Sequence, residues 1–253
     1  MVSNDILAYY DLGLEAERLS HEWSLERIRS QSLISRSIPI PPACVIDIGA
    51  GPGLYSVWLA SLGYSVHVVD LVPKHIEQAR DAALLMGPLY HLTSEKDRLK
   101  ALSEALRVLR PAGILIAVGI SRFAALLEGF FSGSINDPAF CSVVDRGLAD
   151  GQHINTTGKP EHFTTAYFHR PGELEAEVSA AGFRVKRVAA IEGFGPYLPD
   201  LKQRWQDQTY RTYLLDVLER TETEPSMLGT SPHVMVVATR SASIRPRGRP
   251  RHD

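Results

Sequence analysis

Apolar residues recur at three- and four-residue steps through the first 38 positions, at Ile6, Tyr9, Tyr10, Leu14, Leu19, Trp23 and Ile28, with charges between them. That period predicts amphipathic helix, and Pro39, Pro41 and Pro42 break it. The pattern then changes. Cys44–Ile48 reads CVIDI, a continuous apolar run with one acid, as expected of a strand buried on both faces. A glycine-rich turn, GAGPG over 49–53, follows. The next apolar period predicts a helix over 54–62, with Gly63 as its C-terminal cap. A second strand is expected over 65–69, ending at Asp70. Pro73 opens a helix reaching about Arg80, and 82–86 is a third short apolar run. An amphipathic helix is expected over 95–109, stopped by Pro111, before a buried strand over 113–119. Strands alternating with helices predict a doubly wound, mainly parallel α/β sheet covered on both faces.

The second half is less regular. Residues 121–160 carry Phe123, Leu126, Leu127, Phe130 and Phe131, then Gly, Asn, Asp and Pro, the composition of an inserted helical, lid-like segment. A helix is expected over 171–181, strands over 183–191 and 234–239, and helix over about 198–220 between them. HFTTAYF, residues 162–168, reads as a strand packed on the sheet. The organisation expected is an N-terminal helical cap over 1–38, one domain over 39–240 and a tail over 241–253.

Composition narrows the partners. The 253 residues carry 27 Lys and Arg against 29 Asp and Glu, a formal charge of -2, which gives no reason to expect nucleic acid or an anionic membrane. No apolar run approaches the roughly 20 residues needed to cross a bilayer. Acids stand where a secretory signal carries positive charge, so a cytoplasmic location is expected. Cys44 and Cys141 make no disulfide framework and fit a reducing compartment. The charge is uneven: residues 240–253, RSASIRPRGRPRHD, hold five Arg and one Asp, and removing them takes the formal charge from -2 to -6. That tail has too few large apolar side chains to pack and is expected to be disordered.

A strand ending in DIGAGPG and opening a helix is the most informative feature. Glycines let the backbone turn tightly and come close to a ligand, and free N–H groups at a helix start receive polar groups. A carboxylate ending the next strand, Asp70, can accept from ribose hydroxyls. The dehydrogenase fingerprint is poorly met, because Leu54 stands where its third glycine belongs, leaving an NAD(P)-dependent oxidoreductase as the weaker nucleotide reading.

Taken together, VIDIGAGPGLYSVWLA, VHVVDLVP, LLMGPLYHL and LRVLRPAGILIAVG resemble the class I S-adenosylmethionine-dependent methyltransferases. The resemblance covers roughly residues 43–120, and the order of later elements agrees with it. It implies a Rossmann-like methyltransferase sheet with an antiparallel C-terminal edge pair from 183–191 and 234–239. It implies S-adenosyl-L-methionine as cofactor and methyl transfer to a small-molecule acceptor. Asp47 would position the cofactor's amino group, Gly49, Gly51 and Gly53 would form the loop, and Asp70, with Leu71 beside it, would hold the ribose. The family normally has another strand and helix before the run at 82–86, and here there is no room for them. Reduced cofactor affinity is one expected consequence, or substitution by Asp81 or the 121–160 segment for the missing adenine contact. A non-catalytic relative is the alternative reading.

Tyr90 and His91 follow the third strand, at the carboxyl end where ligands of such sheets collect, and are the candidate catalytic residues. Tyr9, Tyr10 and Arg18 lie on the N-terminal helix that, in similar proteins, closes over the cofactor; Tyr9 and Arg18 are candidate cofactor contacts. His153, His162 and His169 could line an acceptor pocket. Their spacing matches no common metal signature, so no metal is expected.

Overall fold

The computed structural model of the chain describes residues 6, 9, 24–69 and 80–241. Tyr10, Arg18, Asp70, Leu71, the helix expected to start at Pro73 and the arginine-rich tail past Ser241 lie outside the described residues.

Helix α1, Leu25–Ser37, is capped by the Ser24 side chain, which accepts from the Arg27 N–H at 3.3 Å. Strand β1, Cys44–Ile48, leads into α2, Leu54–Ser61, and β2, Ser65–Val69. Strand β3 is Arg80–Leu85, so Arg80 is a strand residue and not the end of a helix. A one-turn helix, Pro88–His91, and α3, Glu95–Val108, precede β4, Leu109–Ser121. The 121–160 segment is helical as expected: α4, Ala124–Ser132, and α5, Pro138–Asp150, followed by the short strand β5, Gln152–His153. Strand β6, Ala166–His169, helix α6, Pro171–Ala180, strand β7, Phe183–Ala190, helix α7, Gln208–Thr221, and strand β8, His233–Arg240, complete the order.

Strand β4 begins four residues earlier than the sequence pattern implies. Leu109 already pairs with Arg80, and Ile114 with Ala82. The residues between bulge out of the ladder, with Ala112 at a φ of 64°. A Cβ on Gly113 would lie 2.9 Å from the Arg110 carbonyl, so only glycine lets the chain rejoin the sheet there.

The strands lie in the order β2-β1-β3-β4, all parallel, and β8 enters antiparallel between β4 and β7. The C-terminal pair is therefore antiparallel as expected, but only β7 is an edge, and it runs parallel to β4. Past the end of β3, the last residues of β4 pair with β6, Ile120 with Phe168 and Ser121 with His169.

Side chains alternate across the sheet. Ile46, Ala83, Leu85, Leu115 and Ala117 pack under α3 and α6, against Leu102, Leu174 and Val178. Val45, Leu84, Ile116 and Val118 pack on the other face against Leu33, Ile34 and Leu59 of α1 and α2. Each fully buried Leu or Ile contributes roughly 1.5–3 kcal/mol, so these two layers hold the strand ends that carry the site. Arg29 locks α1 onto them: buried, it donates to the Ile191 carbonyl at 3.0 Å and to Glu222 at 2.5 Å.

Among the described residues β2 is the other edge, and Ser65, His67 and Val68 of that strand are exposed.

Candidate functional site

The site forms where β1 and β3 end and β4 outruns them. A parallel sheet presents its ligand crevice at these carboxyl ends. The turn after β1 is built by Gly49, Gly51 and Gly53, with φ values of 70°, 52° and 77°. All three are left-handed, a conformation that costs other L-residues about 1–2 kcal/mol each. The turn is pinned by the Gly49 N–H donating to the Val69 carbonyl at 2.8 Å and the Gly53 N–H donating to the Ala50 carbonyl at 2.9 Å. A Cβ on Gly49 would sit 3.1 Å from Pro88, whereas one on Gly51 would meet nothing within 4 Å. Gly51 thus borders open space that a side chain would fill.

Asp47 is the next-to-last residue of β1, buried at 1% exposure. Its Oδ2 accepts from the Ser56 hydroxyl at 2.6 Å, and its Oδ1 has no partner. Burial pushes the carboxyl above its ordinary range, and the Ser56 bond only partly offsets this. Ser30 Oγ of α1 is likewise buried without a partner. Asp47, Ser30, Gly51, Met86 and Tyr90 line one cleft together. An unpaired buried carboxylate oxygen beside an uncluttered glycine loop suits a ligand that brings an ammonium or water-bridged donor. The residues present therefore fit the amino-acid end of S-adenosylmethionine.

Tyr90 also lines a second cleft, between β4, β6 and the α4–α5 segment. Its hydroxyl stands 3.3 Å from where a Gly87 Cβ would be. His91 stands behind it, ring centroids 4.7 Å apart and edge-on, with Nδ1 3.2 Å from the Thr165 carbonyl. Tyr9 meets the ring of Phe163, which lines the second cleft, edge-on at 5.3 Å. His153 lines that cleft, with its ring stacked on Phe168 at 4.5 Å. His162 also lines it, whereas His169 faces Glu177 at 3.4 Å.

Asp81 cannot substitute for an adenine contact. It sits at the amino end of β3, where its side chain accepts from the Cys44 N–H at 2.6 Å and pairs with Arg110. That is the opposite end of the sheet from the glycine turn.

Three groups escaped the sequence reading. Ser56 has no signal beyond following the glycine turn. Glu26 of α1, Glu192 after β7 and His233 of β8 bring one carboxylate or imidazole atom each within 4.8 Å of the others. His233 Nδ1 lies 2.6 Å from Glu192 Oε1, and Glu192 Oε2 accepts from the Ser231 hydroxyl at 3.0 Å and the His233 N–H at 3.2 Å. Tyr197, whose buried hydroxyl has no partner, and Glu128 line the second cleft with His233. These residues come from distant segments, so no local spacing joins them.

No family model matches the chain. A glycine/sarcosine N-methyltransferase of Aphanothece halophytica is 31% identical over 117 residues. That window takes in 35% of this chain, which spans less than half, 44%, of the relative's length. Since 35% of 253 residues falls short of 117 positions, the relative carries residues in this window that the chain lacks.

Solved structures align over most of the chain. A Burkholderia thailandensis 1,6-didemethyltoxoflavin-N1-methyltransferase, with its substrate and S-adenosylhomocysteine bound, superposes with a TM-score of 0.56 at 16% identity, covering 94% of this chain and 86% of that one. A Methanosarcina mazei S-adenosylmethionine-dependent methyltransferase gives 0.52 at 16%, covering 83% and 97%. A Haloferax volcanii protein in complex with the Trm112 methyltransferase activator gives 0.53 at 13%, covering 95% and 98%. At these identities the likeness is one of fold: the chain has the mixed, mainly parallel sheet of the class I S-adenosylmethionine-dependent methyltransferases.

Proposed function

We propose that this chain is an enzyme that binds S-adenosyl-L-methionine at Asp47 and the glycine turn and transfers its methyl group to a small-molecule acceptor in the second cleft. The observation that carries the reading is the unpartnered Asp47 Oδ1 beside open space at Gly51. Bound there, the cofactor supplies a methyl group activated on a positive sulfur.

The chain's own residues have the remaining tasks. Asp47 Oδ1 accepts from the cofactor's ammonium, directly or through water, while Ser56 holds the carboxylate in place. Gly49, Gly51 and Gly53 give the close backbone approach, and Asp70, with Leu71, holds the ribose hydroxyls. Tyr90, common to both clefts, orients the reacting groups, and His91 positions Tyr90. Tyr9 is a further cofactor contact, and Arg18 pairs with the cofactor's carboxylate. Orientation and dryness supply much of the acceleration when a methyl group moves in line between two bound molecules. A small-molecule acceptor agrees with the names of the toxoflavin methyltransferase and the glycine/sarcosine N-methyltransferase.

Incubation with methyl-labelled S-adenosylmethionine and a small-metabolite extract tests this. A labelled product one methyl heavier than its precursor is expected. Retention of NADH in place of S-adenosylhomocysteine would overturn it in favour of an oxidoreductase.

A further inference from the structure

The junction of Glu26, Glu192 and His233 stands between the two clefts. Glu26 lines the first with Asp47, His233 lines the second with Phe163, and Tyr90 lines both. His233 Nδ1 lies 3.9 Å from Glu26 Oε2. The His233 carbonyl accepts from the N–H of Ile191, a residue of the first cleft, at 3.1 Å.

Glu192 is buried and fixes the imidazole. Burial alone would raise its carboxyl, but the bonds from His233 and Ser231 hold it below the ordinary range, so it is ionised at neutral pH. An ionised carboxylate only accepts. His233 Nδ1, 2.6 Å from Glu192 Oε1, therefore carries the ring proton, and in the neutral ring Nε2 carries the lone pair. A protonated nitrogen is no metal ligand, so the junction is arranged to handle a proton. Nε2 makes no hydrogen bond among the described residues and is not sealed from solvent, on a side chain that lines the second cleft.

On the footing of the methyltransferase reading, we propose that His233, held by Glu192, is the base that takes the proton of a phenolic hydroxyl as that oxygen receives the methyl group. The hydroxyl donates to His233 Nε2 and turns a lone pair on the methyl carbon. As the oxygen–carbon bond forms, the carbon–sulfur bond breaks and sulfur keeps the electron pair. The O–H proton passes to Nε2, and the imidazolium later releases it to solvent. The positive charge brought in on sulfur thus passes to a ring faced by two carboxylates, Glu192 and Glu26. An uncharged amine attacks with its lone pair and needs no base during the step; a hydroxyl does. A phenol, ionising near 10 as tyrosine does, is within reach of imidazole, and Phe140, Phe163 and Phe168 line the cleft with faces for its ring.

The test compares methyl transfer from S-adenosylmethionine to 2-naphthol and to 4-nitrophenol at pH 7 by the full chain. 2-Naphthol holds its proton there, whereas 4-nitrophenol ionises near neutrality and has less need of a base. His233→Asn keeps a side-chain N–H for Glu192 and has nothing at the place of Nε2. It should lower kcat for 2-naphthol about a hundredfold and for 4-nitrophenol within about threefold, with S-adenosylhomocysteine affinity unchanged. A merely structural role would slow both alike, so equal losses, or no loss with 2-naphthol, overturn the assignment. If His233→Asn fails to bind S-adenosylhomocysteine, Glu26→Gln, which leaves the Glu192–His233 bond in place, reads the same split at about tenfold on 2-naphthol; equal effects on both phenols overturn it again. Methylation of neither phenol by the native chain overturns the acceptor class and leaves the cofactor site standing. Failure of the native chain to bind S-adenosylhomocysteine overturns the methyltransferase reading itself.

Discussion

The Ser56 hydroxyl donates to Asp47 Oδ2 at 2.6 Å and leaves Oδ1 buried with no partner. One hydrogen bond fixes the carboxylate without satisfying it. A buried acceptor left unpaired costs about 1–3 kcal/mol, a cost that a donor from a ligand removes.

Asp47→Asn should therefore stabilise the unliganded chain at pH 7. The folded-state carboxyl is raised above its unfolded value. Its stability contribution is full below the ordinary carboxylate range and is lost as pH rises through the raised value. Melting curves should show the variant higher by about 2–4 °C at pH 7, on the order of 1 kcal/mol, and level with the native chain in acid. A variant that melts lower at pH 7 would contradict the burial argument.

Gly51→Ala separates fold from binding. The φ of 52° imposes strain, but the new methyl meets nothing within 4 Å. A stability loss of about 1–2 kcal/mol is expected, together with a loss of S-adenosylhomocysteine affinity of at least roughly tenfold. Gly63→Ala, at a φ of 92° and remote from the cleft, should cost comparable stability and no affinity. Equal affinity losses in the two variants, measured by titration, would argue against a cradle at Gly51.

Glu192→Gln should be the most damaging of these changes to the fold. Burial alone would raise this carboxyl, but His233 and Ser231 hold it below the ordinary range. Its stabilising contribution is present above the unfolded value and is lost as pH falls through the depressed one. Removing one partner of a buried pair costs about 3–5 kcal/mol. Urea unfolding at pH 7 should show that loss, and the variant's acid-side dependence should flatten. A loss under about 1 kcal/mol would mean that the pair is not a unit.

Asp81→Asn should leave S-adenosylhomocysteine affinity unchanged, because the side chain holds Cys44 and Arg110 at the far end of the sheet. Arg110 is 48% exposed, so the stability cost should stay within about 1 kcal/mol. A tenfold affinity loss on titration would restore Asp81 to the nucleotide pocket.

The order of strands and helices from Cys44 to Val69 was legible because a continuous apolar run and a left-handed turn leave local marks. CVIDI must be buried on both faces, and three glycines in five residues mark φ values that other residues avoid. The start of β4 was not legible. Pro111 marks the end of a helix by local rules, yet the chain bulges at Ala112 and rejoins the sheet through Gly113, a pairing set by β3. Asp81 illustrates the same limit: its place near the ribose acid in sequence says nothing of which end of the sheet it occupies. The second cleft was legible only as an aromatic, histidine-bearing segment. The junction of Glu26, Glu192 and His233 depends on contacts between segments far apart in the chain.

The most direct measurement is calorimetric titration of the full chain with S-adenosylhomocysteine and, separately, with NADH, for the native protein and for Asp47→Asn. One S-adenosylhomocysteine site is expected in the native chain. The variant should weaken it by roughly ten- to a hundredfold, the worth of a charge-assisted hydrogen bond, and NADH should give no heat. Binding of NADH alone, or S-adenosylhomocysteine affinity indifferent to Asp47, would contradict the account.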